Sequence, residues 1–86
     1  MKKIWAKVLK HDRRIKADMI YVLESPYDKE DIYTYVSEIC QALKLPTPVV
    51  IQPHIDMFDE YSYVRFVSHD FVEGVDFFAL TLESGD

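Results

Sequence analysis

The chain has 86 residues, of which 49% are hydrophobic and 29% are charged, and its formal net charge is -5. This length suits one small domain, and the apolar content excludes a disordered chain. The longest apolar runs, residues 19–23 and 77–80, are far shorter than the ~20 residues of a membrane-spanning helix, so we expect no membrane partner. The lysines that interrupt the first apolar residues exclude a secretory signal, and Cys40, the single cysteine, cannot form an internal disulfide. We therefore predict one cytoplasmic domain over residues 1–86.

The first half of the chain is predicted to form a hairpin followed by a helix. Residues 4–9 alternate as in a strand, residues 15–24 are rich in β-branched and aromatic types, and polar residues 11–14 form the turn between them. Ser25, Pro26 and Asp28 are residue types preferred where a helix begins, so we predict that the helix starts here with Ser25 as its N-cap and Pro26 at its first position. The helix is expected to end near Lys44, before the prolines at 46 and 48. Its predicted buried stripe consists of Ile32, Val36, Ile39, Cys40 and Leu43.

The second half is predicted to consist mostly of strands. Residues 49–51 suggest a brief strand, and a helical turn is expected to start at Pro53. Residues 61–67 alternate again, residues 68–74 form a loop, and residues 75–83 form the last strand. The predicted order is β-β-α-β-β-β. The predicted fold class is α+β, with a mostly antiparallel sheet of four or five strands and one amphipathic helix on one face.

More strand positions are apolar than one helix can cover. A helix is ~10 to 12 Å wide and strands lie ~4.8 Å apart, so one helix covers only one face, yet apolar residues occupy both alternating sets of at least two strands. The segments 52–61 and 68–74 offer one solution, in which they fold over the second face. The other is an exposed aromatic face, which favours a non-enzymatic interaction or regulatory protein that forms a homodimer or docks another protein. The candidate anchors are Trp5, Tyr21, Tyr61 and Tyr63.

The charge distribution leaves a nucleic-acid partner as the less favoured alternative. Residues 1–16 contain seven lysines and arginines and one acid, whereas residues 17–86 contain three basic residues and fourteen acids. Cations gathered on one hairpin beside Trp5 suit phosphate contacts and base stacking, although the acidic remainder opposes a polyanion. The same cations at a sheet edge also serve to block aggregation. The candidate residues are Lys7, Lys10, Arg13 and Arg14.

Catalytic and metal-binding motifs are sparse. His54 and Asp56 with His69 are the candidates for a second alternative, a small metal-dependent protein, although no His-x-x-x-His or Cys-x-x-Cys spacing is present. Cys40 falls on the apolar stripe of the predicted helix, where a thiol is ordinarily inert. Two glycines in the whole chain cannot build a phosphate-cradling loop. We therefore predict no catalytic residue and no cofactor.

Several short motifs of the second half carry a resemblance to known sequences. They are Leu45-Pro46-Thr47-Pro48-Val49-Val50, Pro53-His54, Arg65-Phe66, His69-Asp70-Phe71-Val72-Glu73 and Val75-Asp76-Phe77. Over most of its length the chain resembles a group of short uncharacterised bacterial proteins. The resemblance implies a shared fold and a cytosolic setting, and it favours a structural or regulatory role over catalysis without supplying a catalytic residue.

Overall fold

Within the described part of the chain, four antiparallel strands and two α-helices make up the fold. The computed structural model describes residues 3–85. The strands are β1 (Lys3–Leu9), β2 (Ile15–Val22), β3 (Tyr63–Val67) and β4 (Ala79–Gly85), and the helices are α1 (Ile32–Leu43) and α2 (Gln52–Tyr61). The strand order in the sheet is β2-β1-β4-β3. The predicted α+β class is confirmed, while the element order differs from the predicted one in the middle of the chain.

The hairpin of β1 and β2 forms where the alternating patterns predict it. The backbone N–H of Lys10 donates to the carbonyl oxygen of Arg14 at 2.8 Å, which closes the turn. Arg13 takes a left-handed conformation there, with φ of 67°. The β1–β2 register shifts between Val8 and Leu9, where a bulge in β2 adds one residue. The bulge keeps Leu9 opposite Ile15.

Helix α1 begins later than its sequence signals predict. The N-cap expected at Ser25 is wrong, because Asp28 is the residue whose side chain accepts a hydrogen bond from a following backbone N–H, that of Glu30, at 2.9 Å. Asp28 caps a short 3-10 turn, Lys29–Asp31, which leads into α1 at Ile32. The predicted stripe is otherwise right, since Ile32, Val36, Ile39 and Cys40 are buried and Leu43 is partly buried.

The segment after α1 contains a second full helix in place of a strand and a turn. Residues 49–51 belong to no strand: the backbone N–H of Val49 makes a single bond to the carbonyl oxygen of Asp70, at 2.7 Å. Helix α2 then extends over ten residues. Its first turn is capped by His54, whose Nδ1 accepts from the backbone N–H of Ile51 at 3.1 Å. The pattern concealed this helix because Phe58 is its only buried residue.

Strand β4 starts later than predicted because the two phenylalanines that precede it, Phe77 and Phe78, do not belong to the strand. Phe77 turns into the core and meets Phe71 edge-on, with ring centroids 5.4 Å apart. The backbone N–H of Phe78 donates to the carbonyl oxygen of Leu9 at 2.7 Å. From Ala79 onward the strand pairs with β1 on one side and β3 on the other.

Both helices pack on one face of the sheet, which we call the covered face. The buried cluster joins β1, β3 and β4 to α1, and Phe58 of α2 and Phe71 of the following loop belong to the same cluster. The segments 52–61 and 68–74 therefore lie on the same side as α1, and the expectation that they close a second core on the other side is wrong. No helix within residues 3–85 is long and apolar enough to cross a membrane.

Candidate functional site

The second face of the sheet, which we call the open face, is the candidate site. Because side chains alternate along each strand, the register assigns its residues to four rows that cross β2, β1, β4 and β3 in that order. The rows are Val22–Lys3–Gly85, Ile20–Trp5–Glu83–Tyr63, Asp18–Lys7–Thr81–Arg65 and Ile15–Leu9–Ala79–Val67. Apolar side chains dominate the second and fourth rows, and charged side chains dominate the third.

Large apolar side chains on this face remain in contact with solvent. Trp5 is 36% exposed and Tyr63 is 37% exposed, although Trp5 lies on a central strand. Ile20 and Val22 on β2 are more than half exposed. A monomer ordinarily turns polar residues outward on the uncovered face of an antiparallel sheet. Ile20 and Trp5 are neighbours in the second row, and Tyr63 lies beyond Glu83 in the same row.

Three charged side chains of the open face, those of Asp18, Lys7 and Arg65, contact aromatic side chains. The indole Nε1 of Trp5 donates to Asp18 Oδ2 at 3.1 Å, and Lys7 Nζ lies 4.2 Å from the centroid of the Trp5 ring. At the other end of the face, the guanidinium carbon of Arg65 lies 5.9 Å from the centroid of the Phe78 ring. These contacts fix the positions of the charges, which are therefore available as features that a partner can match.

Two further features shape the centre of this face. A shallow depression of about 170 Å³ is bounded mainly by Lys3, Trp5, Ile20 and Glu83. Thr81, on the central strand β4, is 2% exposed, and its Oγ1 is buried without a hydrogen-bond partner in the part of the chain that the structure describes. A buried hydroxyl without a partner carries a desolvation cost that an added donor would remove.

The structure brings together two of the four predicted aromatic anchors. Trp5 and Tyr63 flank Glu83 on the open face. Tyr21 lies on the covered face, because it pairs with Ile4, and its ring packs 5.8 Å from that of Tyr35. Its hydroxyl donates to Glu38, and burial together with this bond raises the pKa of Tyr21 to about 12. Tyr61 is the last residue of α2 rather than a member of a sheet row, and it is 68% exposed.

The four predicted nucleic-acid residues lie along the β1–β2 hairpin and its turn. Lys7 belongs to the open face, and Lys10 is exposed where the turn begins. The guanidinium carbon of Arg13 lies 5.1 Å from the centroid of the Phe78 ring, and Arg14 Nε lies 3.3 Å from Asp12 Oδ2. The cations therefore border one corner of the open face, next to its fourth row.

The histidines do not converge. His54 uses both ring nitrogens within the fold: Nδ1 accepts from Ile51, and Nε2 lies 3.3 Å from Asp70 Oδ1. Asp56 accepts a hydrogen bond from Gln52 Nε2 at 2.8 Å, and His69 is exposed on a separate 3-10 turn. Among residues 3–85 no three histidine, cysteine, aspartate or glutamate side chains are grouped so that they could hold a metal ion. The metal alternative therefore has no assembled site in this region.

Neither the Cys40 thiol nor a cleft beside the end of α1 forms a catalytic site. Cys40 is fully buried in α1, and burial raises the pKa of its thiol to about 11, so that almost none of it is thiolate at neutral pH. A cleft of about 630 Å³ lies between the end of α1 and the loop before β4. Its one carboxylate, on Asp76, lies 3.4 Å from Lys16 Nζ. Neither place combines a nucleophile with a base.

Sequence reasoning missed the charged members of the open face. The β1–β2 pairing places Asp18 on the same face as Trp5, whereas Arg65 and Glu83 join them only because β4 lies between β1 and β3. Alternation shows which residues of one strand lie on the same side of that strand. Only the register between strands shows which charged residues are neighbours. Comparison with known protein families, curated proteins and solved structures finds no match for this chain. The resemblance to short bacterial proteins therefore stays a prediction.

Proposed function

We propose that this chain is a small non-enzymatic interaction protein that binds a protein partner through the open face of its sheet. The observation that supports the proposal is the second row of that face, in which Ile20, Trp5 and Tyr63 remain exposed while both helices pack on the other side. Removing such side chains from water yields about 25 cal/mol per Å² of apolar surface. Trp and Tyr also lose little conformational entropy when they are buried, which suits them as anchors.

The proposed setting is the cytoplasm. Cys40, the single cysteine of the chain, is a free thiol in the core, which agrees with a reducing compartment. The proposal includes no cofactor and no catalytic step, because the buried thiol and the occupied nitrogens of His54 leave no activated group at the open face. Partner binding alone is the activity that we propose.

A second candidate function is binding of single-stranded nucleic acid at the same face. The observation that favours it is the excess of positive charge on this side: Lys7 and Arg65 lie within the face, and Lys10 and Arg13 border it. Bases would stack on the aromatic rings while the cations meet phosphates. Asp18 and Glu83 within the face oppose a polyanion, so we rank this function second.

Trp5 provides a direct test, because it is the only tryptophan of the chain and lies in the middle of the proposed site. At low micromolar concentration acrylamide should quench its fluorescence efficiently, which shows that the face is bare in the monomer. A matched reference is Tyr61→Trp in a Trp5→Phe background, whose indole reports an exposed site outside the open face. A Trp5 that is shielded from quencher in a monomer would contradict the proposed function.

The nucleic-acid candidate is separated with the same signal. A single-stranded DNA oligonucleotide at low salt should leave the Trp5 emission unchanged if the partner is a protein. If the oligonucleotide quenches Trp5, and reversing the charge of Lys7, Lys10, Arg13 and Arg14 abolishes the quenching, the second function replaces the first.

A further inference from the structure

In two rows of the open face, the residue at one edge of the sheet is chemically complementary to the residue at the opposite edge. In the third row, Asp18 on edge strand β2 and Arg65 on edge strand β3 carry opposite charges. In the second row, the two edge residues are Ile20 and Tyr63, which are both apolar in body and both exposed. Each edge of the face therefore complements the other edge.

A two-fold axis converts this pattern into self-recognition. We infer that the partner of the open face is a second copy of this chain, packed face to face about an axis that runs parallel to the strands and midway between β1 and β4. This inference rests on the proposed function. Such an axis places β2 of one copy over β3 of the other. Each row of one copy then lies over the same row of the other copy, so both copies use the same surface in the contact. Two sheets stacked with nearly aligned strands form the usual sandwich geometry.

The arrangement satisfies the charges at the edges of the face. Asp18 lies over Arg65 of the second copy, and by symmetry the same pair forms again on the other side. Ile20 lies over Tyr63 of the second copy, beside the depression of about 170 Å³. A two-fold axis perpendicular to the strands, placed between the second and third rows, would set Asp18 over Ile20 instead. That axis leaves both Asp18 carboxylates over apolar side chains, which is unfavourable. The inferred axis sets Glu83 over the Trp5 ring of the second copy, but the Lys7 ammonium group that lies 4.2 Å from the centroid of that ring is a cation beside the carboxylate.

The centre of the face is also complementary. On the inferred axis β1 lies over β4, so Lys7 lies over Thr81 of the second copy while its ammonium group stays beside its own Trp5 ring. Glu83, the next residue on this face of β4, lies diagonally from the same ammonium group and offsets its charge. The charge of Lys7 is therefore offset by an acidic residue of the second copy when the two faces come together.

The area of the face sets the strength of the contact. Four strands spaced about 4.8 Å apart and about seven residues long, at about 3.4 Å per residue, give a footprint of roughly 450 Å² per copy. A standard stable interface buries about 800 Å² per partner. The pair is therefore a weak one that exchanges with monomer, and it should be measured at high micromolar to submillimolar concentration.

The test is a charge swap across the inferred axis. The dissociation constant of the pair is measured by sedimentation equilibrium for the wild type, for Asp18→Arg, for Arg65→Asp and for the double variant. Each single variant sets like charges over each other at two symmetric places, and we expect it to weaken the pair at least about tenfold. The double variant recreates both pairs with the signs exchanged, and it should return to within about threefold of the wild type.

Controls isolate the effect of these two positions. Glu60→Arg on α2 and Lys29→Asp on the first 3-10 turn make the same charge changes at exposed positions on the covered side and should leave the dissociation constant unchanged. Because Asp18 also accepts the Trp5 hydrogen bond, Asp18→Asn is included, which keeps an acceptor and removes the charge. It should weaken the pair less than Asp18→Arg. Circular dichroism confirms that each variant is folded.

The outcomes separate the inference from the proposed function. A wild-type pair that shields Trp5 but whose charge swap does not restore association overturns the inferred axis and leaves the proposed function standing. A wild type that stays monomeric at submillimolar concentration, with Trp5 open to quencher, overturns the second copy as the partner. Quenching of Trp5 by single-stranded DNA in that monomer would assign the face to nucleic acid and overturn both.

Discussion

Replacing Phe58 with alanine tests whether α2 packs on the covered face of the sheet, which is the packing that leaves the open face without a helix. Phe58 is 1% exposed and is the only buried residue of α2. Its ring meets the ring of Tyr27 edge-on, with centroids 6.2 Å apart. If α2 is attached to the covered face mainly by this side chain, Phe58→Ala should release the helix and destabilise the whole domain.

The expected loss follows from the buried area. An aromatic side chain buries about 150 to 250 Å², which at about 25 cal/mol per Å² corresponds to an upper estimate of about 4 to 6 kcal/mol. Core Phe→Ala changes cost about 3 to 5 kcal/mol, and we expect about 3 to 4 kcal/mol here. At roughly 0.05 to 0.15 kcal/mol per residue, the domain as a whole has about 4 to 13 kcal/mol of stability. The variant should therefore melt about 15 to 30 °C lower than the wild type.

Urea unfolding followed by circular dichroism measures this loss, and hydrogen exchange of the α2 amides shows whether the helix opens. Met57→Ala is the matched control, because Met57 is the neighbouring residue on the same helix and is 44% exposed. It should cost less than about 1 kcal/mol. A Phe58→Ala loss as small as that of the control would show that α2 is held elsewhere, and the assignment of the open face would lose its support.

Two further predictions concern single groups of the fold. Because the pKa of Tyr21 is about 12 in the folded chain, against about 10 when unfolded, its contribution to stability is present below pH 10 and is lost as the pH rises toward 12. Urea unfolding between pH 9 and pH 11.5 should show a smaller alkaline loss for Tyr21→Phe than for the wild type, and an equal loss would contradict the assignment. Ser62 closes α2 with φ of 59°, a region that penalises a Cβ atom. Ser62→Gly should therefore exceed Ser62→Ala in stability by about 1 kcal/mol, and equal urea midpoints would refute this.

The parts of the fold that follow from the sequence are those fixed by local periodicity. The alternating residues of β1 and the apolar stripe of α1 each bury one side against the same core, so pattern and structure agree there. The pattern failed where a single residue decides the outcome. Helix α2 buries only Phe58, and the start of α1 depends on which acid caps it. Neither produces a repeating signal, so neither can be found from periodicity.

The candidate site shows the same limit at longer range. The surplus of apolar strand positions indicates that one helix cannot cover both faces, but it leaves open whether the loops cover the second face. The structure leaves Trp5 and Tyr63 exposed on that face. Tyr21 was assigned to that face wrongly, because β2 is apolar on both sides and its parity follows only from the pairing with Ile4. The rows that bring Asp18 and Arg65 into line require strands from both ends of the chain, and no local pattern contains that pairing.

The paired rows of the open face, rather than the division of charge between the two sides of the domain, explain why association should stop at two copies. The covered side, with its helices and loops, carries most of the acids, so two such sides repel each other. The open face has an excess of cations, which raises the alternative of a head-to-tail contact between the open face of one copy and the helices of the next. A head-to-tail contact leaves one face unused at each end and grows into open chains. The paired rows of Asp18 with Arg65 and of Ile20 with Tyr63 use the open face of both copies at once, so a closed pair leaves no such face for a third. A wild type that forms dimers and nothing larger, together with a double charge-swap variant that dimerises again, fits only the closed pair.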